Sequence, residues 1–163
     1  MVRLLGVVFA LFSLWAMASL SAAEPKTISI IENAPYANPE LIQENIRNEC
    51  TDLGVKLSAF TKDYLKKKAW KGELVSGLSG SGYELSIKIT HAVSVGGAMR
   101  GHMKSVSILA ELFKGGELVD SYETTRESGG GVFGAYKGSC AVLGRCTKVL
   151  GKDIAEWLEN REK

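Results

Sequence analysis

Three cysteines, two histidines and one glycine-rich run carry most of the chemistry open to this 163-residue chain. Cys50, Cys140 and Cys146 are an odd set, so pairing within the chain leaves one thiol over. Cys140 and Cys146 lie six residues apart on one predicted helix. That rise of roughly 9 Å exceeds the Cα separation a disulfide spans. Cys50 therefore pairs with one of the two. Cys146 sits mid-stripe on that helix, where a free thiol packs as a small hydrophobe. Cys140 lies near the helix start, where the backbone adjusts more easily. Cys50–Cys140 is the favoured bridge and Cys50–Cys146 the alternative; closing about 90 residues is worth ~4–5 kcal/mol on the chain-entropy view. No Cys-x-x-Cys occurs, and Arg145 beside Cys146 is only a weak sign of an activated thiolate.

His91 has the apolar parity of its strand, between Ile89 and Val93, which suits a hydrogen-bonded core or edge residue. His102 stands at the start of the next strand, in Gly101-His102-Met103-Lys104-Ser105. A hydrolase or redox enzyme would have to use His91, His102 or Cys146. The spacing of Cys50, His91, His102, Cys140 and Cys146 matches no zinc signature, so no metal is expected. No Gly-x-Ser-x-Gly nucleophile elbow with a supporting context is present, and Ser79-Gly80-Ser81-Gly82 reads as a loop. Catalysis has no constellation behind it, and no cofactor is expected.

The run from Gly129 to Cys140 is the oddest of the chain. It enters a helix N-terminus, where free N–H groups favour an anion. The order Lys137-Gly138-Ser139 fails the Walker pattern, and no βαβ unit around it supports a dinucleotide fingerprint. It reads as a crossover capped by Ser139, and as the best candidate for partner contact through Phe133, Tyr136, Lys137 and Ser139. Lys62, Lys66, Lys67, Lys68 and Lys71 cluster at a helix end beside Trp70. The helix dipole accounts for them, and an acidic envelope polymer is the sharper alternative.

These residues must be placed by a small set of elements. Tyr83 to Val95 alternates apolar and polar residues, the mark of a strand with one wet face. Met103 to Phe113 carries Val106, Ile108, Ala110 and Leu112 on one face, and Gly115-Gly116 joins it to Leu118–Thr125 as a hairpin. Thr27–Ile31 is a further strand and Leu74-Val75 a weak one. A helix opens with Asn38 as cap and Pro39 at its first position, continues through Ile42, Ile46, Cys50 and Leu53, and ends or kinks at Gly54. Leu57, Phe60, Tyr64 and Leu65 extend an apolar stripe beyond it. The last helix runs from about Ser139 to Asn160 with Leu143, Cys146, Val149, Leu150, Ile154, Trp157 and Leu158 as its stripe. The order β-α-α-β-β-β-α implies an α+β two-layer sandwich, a mainly antiparallel sheet with helices on one face.

Ahead of these elements, Arg3, an apolar run from Leu4 to Leu20, and Ser21-Ala22-Ala23 form a secretory signal peptide. Its removal leaves residues 24–163 as a single domain and lowers the formal net charge from +2 to +1. Such a balance gives no field to draw nucleic acid. No cysteine follows the cleavage point to carry a lipid anchor, and no other apolar run is long enough to span a bilayer. Export places the cysteines in an oxidising space.

Glu49-Cys50, Gly101 to Val106, Gly129 to Arg145 and Gly151 to Leu158 together carry a resemblance. Over most of residues 24–163 the chain resembles small secreted bacterial proteins of unknown function, distantly similar to a domain of outer-membrane-associated lipoproteins. The Lys-Gly-Ser-Cys-x-x-Leu-Gly-Arg run from Lys137 to Arg145 is its most specific part. The resemblance implies pairing of Cys50 with Cys140, leaves Cys146 as a departure, and brings no activity. The expectation is an exported envelope protein, in the periplasm of a Gram-negative-type bacterium. It would act as a non-catalytic module binding another envelope protein or an acidic envelope polymer, with a small-ligand carrier as a further option.

Overall fold

The structure, a computed structural model, describes residues 25–68, 70–97, 101–128 and 138–161. The expected signal peptide and the contact residues Phe133, Tyr136 and Lys137 lie outside the described residues. Five strands form one sheet: β1 (Lys26–Ile31), β2 (Trp70–Val75), β3 (Tyr83–Gly97), β4 (Gly101–Lys114) and β5 (Glu117–Ser128). Their order is β2-β1-β3-β4-β5. The α+β two-layer class read from the sequence holds, with one amendment. The sheet is mixed, because β1 runs parallel to both β2 and β3 while β3, β4 and β5 form an antiparallel meander. The weak strand at Leu74-Val75 is the end of a full strand starting at Trp70.

The hairpin between β4 and β5 turns on Gly115 and Gly116, both at positive φ (60° and 83°), as a primed turn requires. Asn38 caps as expected, its side chain accepting from Glu40 N–H at 3.2 Å. The capped element is only a 3-10 turn, Pro39–Leu41. Helix α1 (Glu44–Glu49) follows, then α2 (Leu53–Leu65). Gly54 does not end a helix; it lies in the first turn of α2, where an added Cβ would stand 2.2 Å from the Ala34 carbonyl oxygen. The glycine is there for close approach, which sequence cannot distinguish from a break.

Helix α3 (Ser139–Asn160) packs across the sheet beside α2. Its stripe is as read except at Val149, which is 43 % exposed. The core lies between helices and sheet: Ile28 and Ile30 from β1, Leu85, Ile87 and Ile89 from β3, Val106, Ile108 and Ala110 from β4, Leu53 and Leu57 from α2, and Leu143, Leu150 and Ile154 from α3. Among the described residues, no helix covers the opposite face of the sheet, where Val95, Met103 and Val119 are exposed. No described helix is long and apolar enough to cross a membrane.

Candidate functional site

One backbone irregularity decides which side chains meet. The β3–β4 register slips between Ile89 and His91, so Thr90 is bulged and alternation inverts beyond it. Before the bulge Leu85, Ile87 and Ile89 face the helices; after it Ala92 is buried and His91 is exposed. The core parity expected for His91 is thus overturned. Val93 and Val95 pass to the open face, and Ser94 turns toward the helices. His102 lies in β4 opposite Gly96.

Opposite Ser94 stands Lys104, on the same face of β4 as Val106 and Ile108, and only 5 % exposed. Its Nζ donates to Ser94 Oγ at 2.9 Å and to Ser139 Oγ at 3.2 Å. The two hydroxyls are 2.9 Å apart. Gln43 Oε1 accepts the Ser94 N–H at 2.8 Å, tying the approach to α1 into the same cluster. A buried ammonium is costly unless hydrogen-bonded, and the two hydroxyls supply partners. Ser139 is the first residue of α3, with Gly138, not Ser139, at the capping position. Cys140 follows and bonds to Cys50 at the end of α1, with Cα atoms 5.1 Å apart. The node therefore gathers β3, β4, the approach to α1 and the start of α3.

Lys104 also pairs through its backbone with Ser128, the last residue of β5. The segment 129–137 thus leaves the described structure opposite Lys104 and re-enters it beside the Lys104 ammonium. Sequence reading singled out Ser139 but missed Lys104 and Ser94. The signal for Lys104 was present, since it stands two residues before Val106 in the buried parity of β4. Ser94 was hidden by the bulge, which has no residue signature.

Of the residues of the enzyme alternative, His91 and Cys146 do not converge. His91 is on the open face, whereas Cys146 is buried on the sheet-facing side of α3 with its sulfur 4.0 Å from the Lys104 carbonyl oxygen. Burial pushes the Cys146 thiol up from its ordinary range, the reverse of thiolate activation. No group of three or more His, Cys, Asp or Glu suited to a metal is present among the described residues.

The lysine cluster lies beside a cleft, with Lys66 paired to Asp63 and Lys68 to Glu159. The chain turns after α2 at residues 66–68, and a cleft of about 490 Å³ opens between that turn and β2. Lys62, Lys66, Lys68, Lys71, Trp70 and Glu73 line it. Lys71 pairs with Glu73 at 2.9 Å, a hydrogen bond that, with the charges of Lys71 and Lys62, holds the Glu73 carboxyl below the usual carboxylate range.

No family model and no curated protein matches the sequence. Solved structures do. A DUF330-family protein from Xanthomonas campestris superposes with a TM-score of 0.58 at 12% identity, over 86% of this chain and 91% of that one. The PelC dodecamer from Paraburkholderia phytofirmans gives 0.50 at 16% identity, over 80% and 89%. A minor lipoprotein from Acinetobacter baumannii gives 0.50 at 10% identity, over 85% and 95%. Identities this low establish a shared fold alone. That fold is one used by bacterial lipoproteins and by a family of unknown function, in line with the resemblance read from the sequence. Together with a disulfide, it accords with an exported or envelope protein.

Proposed function

We propose that this protein is an exported, non-catalytic interaction module of the bacterial cell envelope. It works in the periplasm of a Gram-negative-type cell after loss of residues 1–23, and it engages another envelope protein through the crossover bearing Phe133, Tyr136 and Lys137. The observation that carries this reading is the double hold of Lys104 on the crossover. Its backbone pairs with Ser128 on one side, and its ammonium reaches Ser139 on the other. A glycine-rich loop with two aromatic side chains, held at its base by a buried ion and beside a disulfide, loses less entropy on binding than a loosely tethered one. Self-assembly is one form the partner can take, since a protein of this fold forms a dodecamer.

Native electrophoresis of gently solubilised envelopes, with light scattering on the purified protein, tests the reading. Wild type is expected in a species heavier than the monomer, and Phe133→Ala with Tyr136→Ala returns it to monomer without changing its melting. A monomeric wild type, or a complex indifferent to both substitutions, contradicts the proposal.

One observation favours a second reading. Ser94, Ser139 and Lys104 have the separations of a serine–lysine acyl-transfer site. That chemistry requires Lys104 as the free amine: it takes the hydroxyl proton as the serine oxygen attacks an acyl carbon and passes it to the leaving group. Water then cleaves the acyl-serine ester to release the acid and restore the hydroxyl. Labelling of Ser94 or Ser139 by a fluorophosphonate, abolished by Lys104→Met, selects that reading over the first.

A further inference from the structure

The buried Lys104 ammonium lacks a counter-charge. Its two acceptors, Ser94 Oγ and Ser139 Oγ, are neutral hydroxyls, and an ammonium has three donors. Among the described residues no carboxylate pairs with it. Glu127, nearby on β5, pairs with Ser105 and is exposed on the open face of the sheet. The rest of the sequence does not make up the deficit. Residues 1–23, 98–100 and 129–137 include no Asp or Glu. That leaves Glu24 and Glu162, which adjoin Pro25 and Arg161 in sequence. Those two neighbours lie roughly 30 Å or more from Lys104, along β3 and along α3.

The same ammonium stands against the positive end of a helix. Helix α3 is 22 residues long, and its capping residue Gly138 has no side chain to accept from the first turn. The Gly138 carbonyl accepts from the Ala141 and Val142 N–H groups. The Ser139 and Cys140 N–H groups have no acceptor among the described residues. Such a helix end carries about half a positive charge. Ammonium and helix end meet at the Ser139 hydroxyl, 3.2 Å from Nζ, and repel each other unless an anion joins them. The place is within a ligand's reach, since Gly138 is exposed and Ser139 and Cys140 are half-buried. Lys104 is the only cation buried among the described residues. A carboxylate brings one charge for that ammonium and two oxygens for the two free N–H groups. The second charge of a phosphate monoester meets no second buried cation.

We propose that Lys104 and the first turn of α3 form a carboxylate-binding site. The ligand accepts from the Ser139 and Cys140 N–H groups, and its charge is set against the Lys104 ammonium. A free small acid and an acidic side chain of a protein partner offer the same chemistry; only the second source rests on the crossover reading. The site needs the ammonium form, so it excludes the acyl-transfer use of Lys104.

Amide NMR titration of the disulfide-bonded protein with acetate at fixed ionic strength tests it, with chloride and inorganic phosphate as references. The Ser139 and Cys140 signals are expected to shift and saturate, with acetate bound at least tenfold more tightly than either reference. Lys104→Met weakens acetate at least tenfold while the spectrum stays that of a folded protein, and Lys148→Gln leaves binding unchanged. Gly138→Asp keeps the ammonium and supplies a carboxylate from the chain itself; a Cβ at Gly138 meets no described atom within 4 Å. That variant is expected to melt at a higher temperature and to lose acetate binding. Loss of the heavy envelope species in Gly138→Asp assigns the carboxylate to the partner. Persistence of that species, with acetate still bound by wild type, assigns it to a free acid and leaves the crossover reading intact. No saturable shift, equal binding of chloride or phosphate, or a Gly138→Asp variant that binds acetate like wild type overturns the proposal, whatever species wild type forms.

Discussion

Glu84 shows how much a single side chain can organise here. Burial opposes its ionisation, but hydrogen bonds from the Ser79 N–H (2.6 Å), the Ser79 hydroxyl (3.0 Å) and the Gly80 N–H (3.0 Å) outweigh it and hold the carboxyl below its ordinary range. A carboxyl depressed on folding stabilises above its unfolded pKa, and the contribution fades as pH falls through the lower folded value. Glu84→Gln is therefore expected to cost about 1–3 kcal/mol near neutral pH. That cost should shrink as pH drops below about 4, where unfolded glutamate protonates. Urea unfolding of both proteins from pH 6 to pH 3 checks this; a constant difference contradicts it. Cys146 supplies the other residue-scale prediction. The denatured, unreduced protein should show one thiol, and the native protein should react with it only slowly, because the sulfur is buried. Three thiols would mean that the bridge is absent. Sequence alone favoured a Cys50–Cys140 bridge, and the structure has that bond. Parity in β4 also held the clue to Lys104. The fate of His91 was not legible, because a bulge depends on how two strands register and not on the residue that slips.

At the scale of elements, the strongest constraint is the approach of α2 to α3. A Cβ on Gly151 would stand 2.8 Å from the Thr61 nitrogen and 2.9 Å from the Phe60 Cβ. Gly151→Ala therefore forces the helices apart despite its better helix propensity, and should destabilise by about 1–3 kcal/mol. An unchanged urea midpoint would show that the helices give way freely. The disulfide acts on a longer span, since Cys50 and Cys140 are 90 residues apart. Its removal by Cys50→Ser with Cys140→Ser is expected to cost ~4–5 kcal/mol, mainly by freeing the unfolded chain. Stability equal to that of the bonded protein would refute this. At the far edge of the sheet, Arg126 grips Asp153 with two hydrogen bonds of 2.6 and 2.8 Å, and Trp157 stacks on Tyr122, fastening β5 to α3. The elements with clean periodicity, β3 before its bulge, β4, β5 and α3, were legible from alternation and heptad-like stripes. Strand β2 was not. It is a short edge strand with Gly72 at its centre, and its pairing with β1 depends on the crossover through α1 and α2.

Over the whole molecule, charge is the feature that composition conceals. The formal charge of the full chain is only +2. Yet lysines concentrate at the cleft end of the sheet, and the Lys104 node lies near the opposite end of β4. A near-neutral total therefore contains two distinct cationic features, one exposed and one buried. The open face of the sheet leaves Val95 and Met103 in solvent near the same end as the node. On the proposed reading of an exported module, the oxidised bridge and the hold of Lys104 on Ser128 and Ser139, the flanks of the segment 129–137, belong to one account, in which Phe133 and Tyr136 make the partner contact. Site-specific photo-crosslinking in intact cells tests that claim most directly. A photoreactive residue at position 133 or 136 should capture one and the same envelope protein, this chain included, while the same group at exposed Val55 or Leu41 captures none. Capture at all four positions alike, or at neither crossover position, would contradict the account.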